Sequence, residues 1–245
     1  MEKTCRKVFE NVPFVRYKEF PCLEEPWEWL HNPLNGYDRR GLCGDDLYWY
    51  QKGEELYIVG NGKMYDDGEY GFPTDRWKWF KHLYITPGCT DIGDYAFNCR
   101  EEYDSYWAEV TWREENDCWG YYDERCHALE SVHIPGTVRR IGFAAFEGCC
   151  RLEEVTIPGN VEEIGTWAFK NCDYLYDITI KEGVKRIGSE AFADCGWDHW
   201  SHKLYSITIP DSVTEIGEDA FRGVPHIEYH GPAQSENNWG AKHRN

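Results

Sequence analysis

Marked simply as apolar or polar, the chain shows one pattern that returns. It is clearest from Leu129, where LESVHIPGTVRRIGFAAFEGCC begins, and it recurs as LEEVTIPGNVEEIGTWAFKNC from Leu152 and LYDITIKEGVKRIGSEAFADC from Leu175, each start 23 residues after the last. A fourth copy, LYSITIPDSVTEIGEDAFRG, opens at Leu204, and FKHLYITPGCTDIGDYAFNC from Phe80 keeps the skeleton with Phe80 in the Leu slot and Cys89 in the Val slot. A fixed period between about 20 and 50 residues marks a solenoid, because a single unit cannot bury its apolar stripe and stacked neighbours can.

Within one unit, Leu129, Val132 and Ile134 alternate with Glu130, Ser131 and His133. Such alternation predicts a short strand with one face inward. Pro135 and Gly136 end it, since Pro lacks a ladder donor and Gly frees the turn. Val138 and Ile141 return to the interior, Gly142 is expected to make a tight corner, Ala145-Phe146 to fill the far side and Cys149 to close the unit. The outward positions then form a concave strand face, on which His133, Glu154, Tyr176 and Tyr205 are candidate partner-binding residues.

The ends differ from the middle. In residues 41–79, Leu47–Tyr50 and Leu56–Val59 flank Gly53 as a hairpin would, and Asn61-Gly62 predicts a further turn. A hairpin there caps the first unit and covers its strand edge. Residues 1–40, with PCLEEPWEWLHNPL, show no repeat and are expected to lie on or near that cap. After residues 80–226, the solenoid proper, residues 227–245 form a second cap: Ile227 and Tyr229 predict a last short strand, and Trp239 is expected to fold back on it. Both ends read as finished, so the chain is expected to be a whole solenoid.

The skeleton LxxVxIPxxVxxIGxxAFxxC resembles the BspA-type leucine-rich repeat. Five units carry its core, at Ile92-Gly93, Ile141-Gly142, Ile164-Gly165, Ile187-Gly188 and Ile216-Gly217, and the likeness extends over roughly residues 41–241. It implies a leucine-rich-repeat solenoid, a β-rich α/β horseshoe of short parallel strands, with an N-terminal β-hairpin cap and a short C-terminal cap. It also implies that the slot shared by Cys99, Cys149, Cys172 and Cys195 faces inward, as reduced thiols behaving like small hydrophobes.

Two insertions break the period, at 100–128 and 196–203. Both follow the Cys slot and precede the next Leu, so they leave from one rim, with roots roughly 15 Å apart at about 4.8 Å per stacked strand. Insertions on one face of a repeat array are often where binding occurs. The first carries Tyr106, Trp107, Trp112 and Trp119, the second Trp197, His199 and Trp200, which are further candidate partner-binding residues. The other reading is that these aromatics clamp the loops onto the solenoid.

Composition narrows the partner. A net charge of −18 argues against a nucleic-acid backbone and suits a basic protein, a cation or a neutral glycan. His199, His202, Asp198, Cys118, Cys126 and His127 match no zinc spacing, so no metal or cofactor is expected. Cys149 occupies an inward slot, Cys150 is expected to be more open with no base beside it, and the recurring Gly belongs to the repeat, so no catalytic site is expected. No apolar run reaches a membrane span's length, and MEKTCRKVFENVPF has no hydrophobic signal core. The chain as written is expected to be cytoplasmic, or secreted or on the cell surface if a leader has been removed. The function expected is non-catalytic protein–protein recognition, with a surface adhesin binding host protein or glycan as the alternative.

Overall fold

The computed structural model describes residues 39–66, 80–98, 129–196, 204, 206–233 and 239. Residues 1–38, nearly all of both insertions and most of the C-terminal tail therefore lie outside the described residues. Each coil supplies two strands. The first strands, β3 (His82–Ile85), β5 (Ser131–His133), β7 (Glu154–Ile157) and β9 (Asp177–Ile180), run parallel as one ladder, and β11 (Ser206–Thr208) and β13 (His226–Glu228) of the last coils pair with each other in a separate two-stranded sheet near β9. The second strands, β4 (Cys89–Ile92), β6 (Arg140–Ile141), β8 (Glu163–Ile164), β10 (Arg186–Ile187) and β12 (Glu215–Ile216), make a second parallel ladder. The single strand expected per unit is thus two. The second ladder begins where polar residues before each Ile-Gly pair across coils.

The two N-terminal strands, β1 (Arg39–Lys52) and β2 (Glu55–Met64), form the antiparallel hairpin that the spacing around Gly53 predicted. β2 belongs to both ladders, because its first half pairs with β3 and its second half with β4. Asn61-Gly62 is not a turn between strands. It lies inside β2, where Gly60 (φ 125°) and Gly62 (φ 103°) bend the strand from one ladder to the other.

The third wall carries no helix among the described residues, so the structure corrects the α/β part of the expected horseshoe. Tyr95, Ala144, Trp167, Glu190 and Asp219, one per coil at the same slot, all have φ between 49° and 61°. A left-handed residue in every coil stops a right-handed helical run from propagating. Turns are linked coil to coil instead: the Phe97, Phe146, Phe169 and Phe192 amides donate to the Ala145, Ala168, Ala191 and Ala220 carbonyls of the next coil. At the C-terminal end the Phe221 amide donates to the Trp239 carbonyl at 2.9 Å, and the Trp239 ring meets Tyr229 edge-on. Trp239 therefore folds back as predicted, standing where the next coil's Ala would be.

The core is a set of columns. Leu129, Leu152, Leu175 and Leu204 are all buried at the head of their coils. Phe97, Phe146, Phe169, Phe192 and Phe221 stack ring on ring at 5.1–5.7 Å with interplanar angles of 2–14°. Beside them Cys149, Cys172 and Cys195 donate through Sγ to the carbonyls of Phe97, Phe146 and Phe169 at 3.3, 3.3 and 3.1 Å. Cys99 lies outside the described residues and stands two residues after its Phe, where the other three stand three after theirs. Cys150, expected to be open, is fully buried. Burial pushes the Cys43 and Cys172 thiols well up and Cys89 up to about 12, so all three stay protonated near neutral pH.

Gly142 turns no corner by a special dihedral. A Cβ built on Gly142, Gly165, Gly188 or Gly217 would come within 2.3–2.6 Å of atoms of the preceding coil, mostly backbone. The recurring glycine is a contact point between coils.

On the outside of the third wall the Glu190 carboxylate accepts from Lys170 Nζ at 2.7 Å and Trp167 Nε1 at 3.1 Å, and meets Arg222 Nη1 at 2.9 Å. Burial alone would raise its pKa, but the hydrogen bonds from Lys170 and Trp167, and the charges of Lys170 and Arg222, hold it below the ordinary glutamate range. A carboxylate with a depressed pKa in the fold adds stability above its unfolded value and loses it as the pH falls through the folded one. Glu190→Gln should therefore cost about 1 kcal/mol at pH 7 by denaturant titration, with the difference shrinking as the pH drops below the glutamate range.

Candidate interaction surfaces

Alternation along the first ladder leaves two outward columns. One runs Glu55, His82, Ser131, Glu154 and Asp177, the other Tyr57, Tyr84 and His133, then Thr156 and Thr179 over the same coils. The face changes character along its length. At the N-terminal end Tyr57 and Tyr84 stack at 5.1 Å, Tyr57 Oη donates to Glu55 Oε2 at 2.8 Å, and His82 Nδ1 lies 2.9 Å from Ser131 Oγ. Burial first, then the Glu55 charge, raises the Tyr84 phenol, and burial lowers His133. Both groups are thus neutral at pH 7.

Further along, Glu153, Glu154 and Asp177 are exposed on neighbouring coils with Tyr176 among them. Tyr176 Oη lies 3.4 Å from Glu153 Oε2, and its pKa is raised by Glu153 first, with Glu154 and Asp177 adding to it. Arrangement and electrostatics together give an end where neutral Tyr84 and His133 lie near Glu55, and an acidic centre.

Of the sequence candidates, His133, Glu154 and Tyr176 share this face, in separate columns. Tyr205 lies outside the described residues between Leu204 and Ser206, as do Tyr106, Trp107, Trp112, Trp119, Trp197, His199 and Trp200. Of the residues around the insertions, Asn98 and Leu129 are described at the first and Cys195 and Leu204 at the second, and Leu129 and Leu204 each head their coil. Sequence reasoning missed the extension of the face into the hairpin through Glu55 and Tyr57. The signal was present, because Leu56-Tyr57-Ile58 repeats Leu83-Tyr84-Ile85 residue for residue. Among the described residues no group of three His, Cys, Asp or Glu could hold a metal ion, and no helix is long and apolar enough to cross a membrane. The metal candidates His199, His202, Asp198, Cys118, Cys126 and His127 lie outside the described residues.

Residues 121–235 match, in six copies, the family described as the BspA type leucine rich repeat region. Among solved structures, a leucine-rich repeat protein from Bacteroides ovatus is 24% identical, covering 78% of this chain and 41% of its own, with a TM-score of 0.46. The leucine rich repeat protein of T. pallidum is 21% identical over 80% of this chain and 70% of its own, TM-score 0.47. A leucine rich cell surface protein from Faecalibacterium prausnitzii is 19% identical over 79% and 55%, TM-score 0.42. The chain thus spans about two-fifths of the length of the Bacteroides ovatus protein. No curated protein matches the sequence.

Proposed function

With residues 121–235 matching the BspA type leucine rich repeat region, we propose that this chain is a non-catalytic scaffold that recognises another protein through the outward face of its first ladder and the two insertions. The observation that carries this reading is the polarised face itself. Its core-facing positions repeat from coil to coil, whereas its outward positions are individual: Glu55, His82, Ser131, Glu154 and Asp177 follow one another in a single column. A surface built only to be wetted needs no such progression. The acidic centre suits a basic patch on the partner, which charge would steer into place.

The partner captured by the wild-type chain should be lost when Glu153, Glu154 and Asp177 are all changed to Lys, and when residues 100–128 are shortened to a two-residue link. Its capture should also weaken as salt rises from about 0.1 M to 1 M, which shortens the screening length from about 10 to 3 Å. Undiminished capture by both variants would sink the reading. The adhesin alternative draws on Tyr84, half-buried on this face, and the exposed Tyr176, aromatic rings of the kind sugars stack on. Silence on a glycan array beside intact protein capture would remove it.

A further inference from the structure

The outward face of the first ladder holds two histidines, the side chain that changes charge between about pH 8 and 5. His82 stands in register with Glu55 on β2 and Ser131 on β5, and its Nδ1 lies 2.9 Å from Ser131 Oγ. His133 stands in register with Tyr84 on β3. It lies beside Thr156 on β7, because Ser131 pairs with Glu154 two residues earlier on both strands. His133 is exposed and His82 half-buried. The two are diagonal neighbours, about 8 Å apart at about 4.8 Å between strands and 3.3 Å per residue along them.

His82 meets the Glu55 carboxylate across β2, and Lys81 beside it reaches Glu54 at 3.1 Å and Glu130 at 3.9 Å. His133 meets the Tyr84 phenol across β3 and has Glu154 diagonally on β7. Burial lowers the His133 pKa, so it takes up its proton at a lower pH than a solvated histidine would. Over the heads and outward positions of β2, β3, β5, β7 and β9, six carboxylates (Glu54, Glu55, Glu130, Glu153, Glu154 and Asp177) stand against one ammonium, Lys81. The formal charge of this stretch is therefore −5 with both imidazoles neutral and −3 with both protonated. The added charge falls one and two strands from Glu154, within the screening length of about 10 Å at 0.1 M salt.

We propose that His82 and His133 make the first-ladder face a pH switch, which holds a basic polypeptide while both imidazoles are neutral and releases it as they become protonated. The switch rests on the reading of this face as a protein-binding surface and adds its regulation. A cation seated on Glu153, Glu154 and Asp177 repels a proton arriving on either imidazole. Each therefore weakens the binding of the other by the same factor.

A hexalysine peptide carrying a pH-insensitive fluorophore is titrated against the full chain at about pH 7.5 and about pH 5, in about 0.1 M salt, and followed by anisotropy. The dissociation constant should rise about tenfold on acidification. In the double variant His82→Gln, His133→Gln, which keeps two neutral polar side chains and removes both protonation sites, the ratio of the two constants should fall to about twofold or less. His133→Gln alone should leave an intermediate ratio. By reciprocity, peptide binding near about pH 6 should release protons, read by calorimetry in two buffers of different ionisation heat. An unchanged constant at the lower pH, a ratio that survives the double variant, or binding without proton release would overturn the switch. If the peptide binds alike at both pH values and is lost when Glu153, Glu154 and Asp177 are changed to Lys, the switch alone fails. If it does not bind near pH 7.5, or binds that triple variant undiminished, the switch falls together with the basic-partner reading.

Discussion

Phe169→Ala should cost about 3–5 kcal/mol, a large part of the stability of a domain this size, and should lower the denaturant midpoint accordingly. The ring is fully buried and stacks on Phe146 at 5.1 Å and on Phe192 at 5.3 Å, so truncation opens a void that two coils share. Neither neighbour can close it, because each is held by its own coil-to-coil hydrogen bonds through Ala168 and Ala220. Phe221 offers the contrast. It has a ring neighbour on one side, Phe192 at 5.7 Å, with Trp239 bonded to its backbone beyond. Phe221→Ala should cost distinctly less in the same titration, and an equal or larger loss would argue that the column does not act as a stack. Phe169→Leu, which keeps most of the volume and loses the ring contacts, should fall between the two.

Gly188→Ala should be nearly as damaging for the opposite reason. The added methyl would stand 2.4 Å from the Thr166 amide nitrogen and 2.6 Å from the Gly165 carbonyl carbon, both main-chain atoms of the coil before. Main chain cannot rotate out of the way as a side chain can, so two coils would have to part at that point. The expected cost is about 3 kcal/mol, at the upper end for overpacking a well-filled site. Gly136→Ala is the control. Its nearest neighbour would be Asn160 Oδ1 at 3.4 Å, with no unusual dihedral, and it should be tolerated to within about 0.5 kcal/mol by thermal or denaturant unfolding.

These residues also show what a reader of the sequence could and could not see. The Leu, Phe and Cys columns were legible because each is one letter repeated at one spacing, and burial demands the same volume in every coil. The left-handed slot was illegible. Its occupants, Tyr95, Ala144, Trp167, Glu190 and Asp219, share no chemistry, since the constraint there is on the backbone and their surroundings run from fully buried at Ala144 to exposed at Tyr95. The role of the recurring Gly was misread for a related reason. A glycine that relieves a dihedral and one that relieves a contact look alike in a string, and only the neighbouring coil tells them apart. The acid–base alternation of Asp91, Arg140, Glu163, Arg186 and Glu215 stood in plain view just before each Ile, but its meaning depends on register, which pairs residues 23 or more apart. On the outward face the sequence pointed to His133, Glu154 and Tyr176 by alternation alone. Tyr57 escaped because it belongs to the hairpin, whose antiparallel pairing with β1 hid its parallel pairing with β3.

The hydrogen bonds that link coils in the second ladder and third wall each join one coil to the next, and none among the described residues spans two interfaces. A load applied along the axis of stacking would be borne in series by each interface in turn. The interface with least holding it would yield first, and the others would follow as separate steps. Such a body behaves as a chain of latches, able to give length a fixed increment at a time while the coils still joined keep their shape.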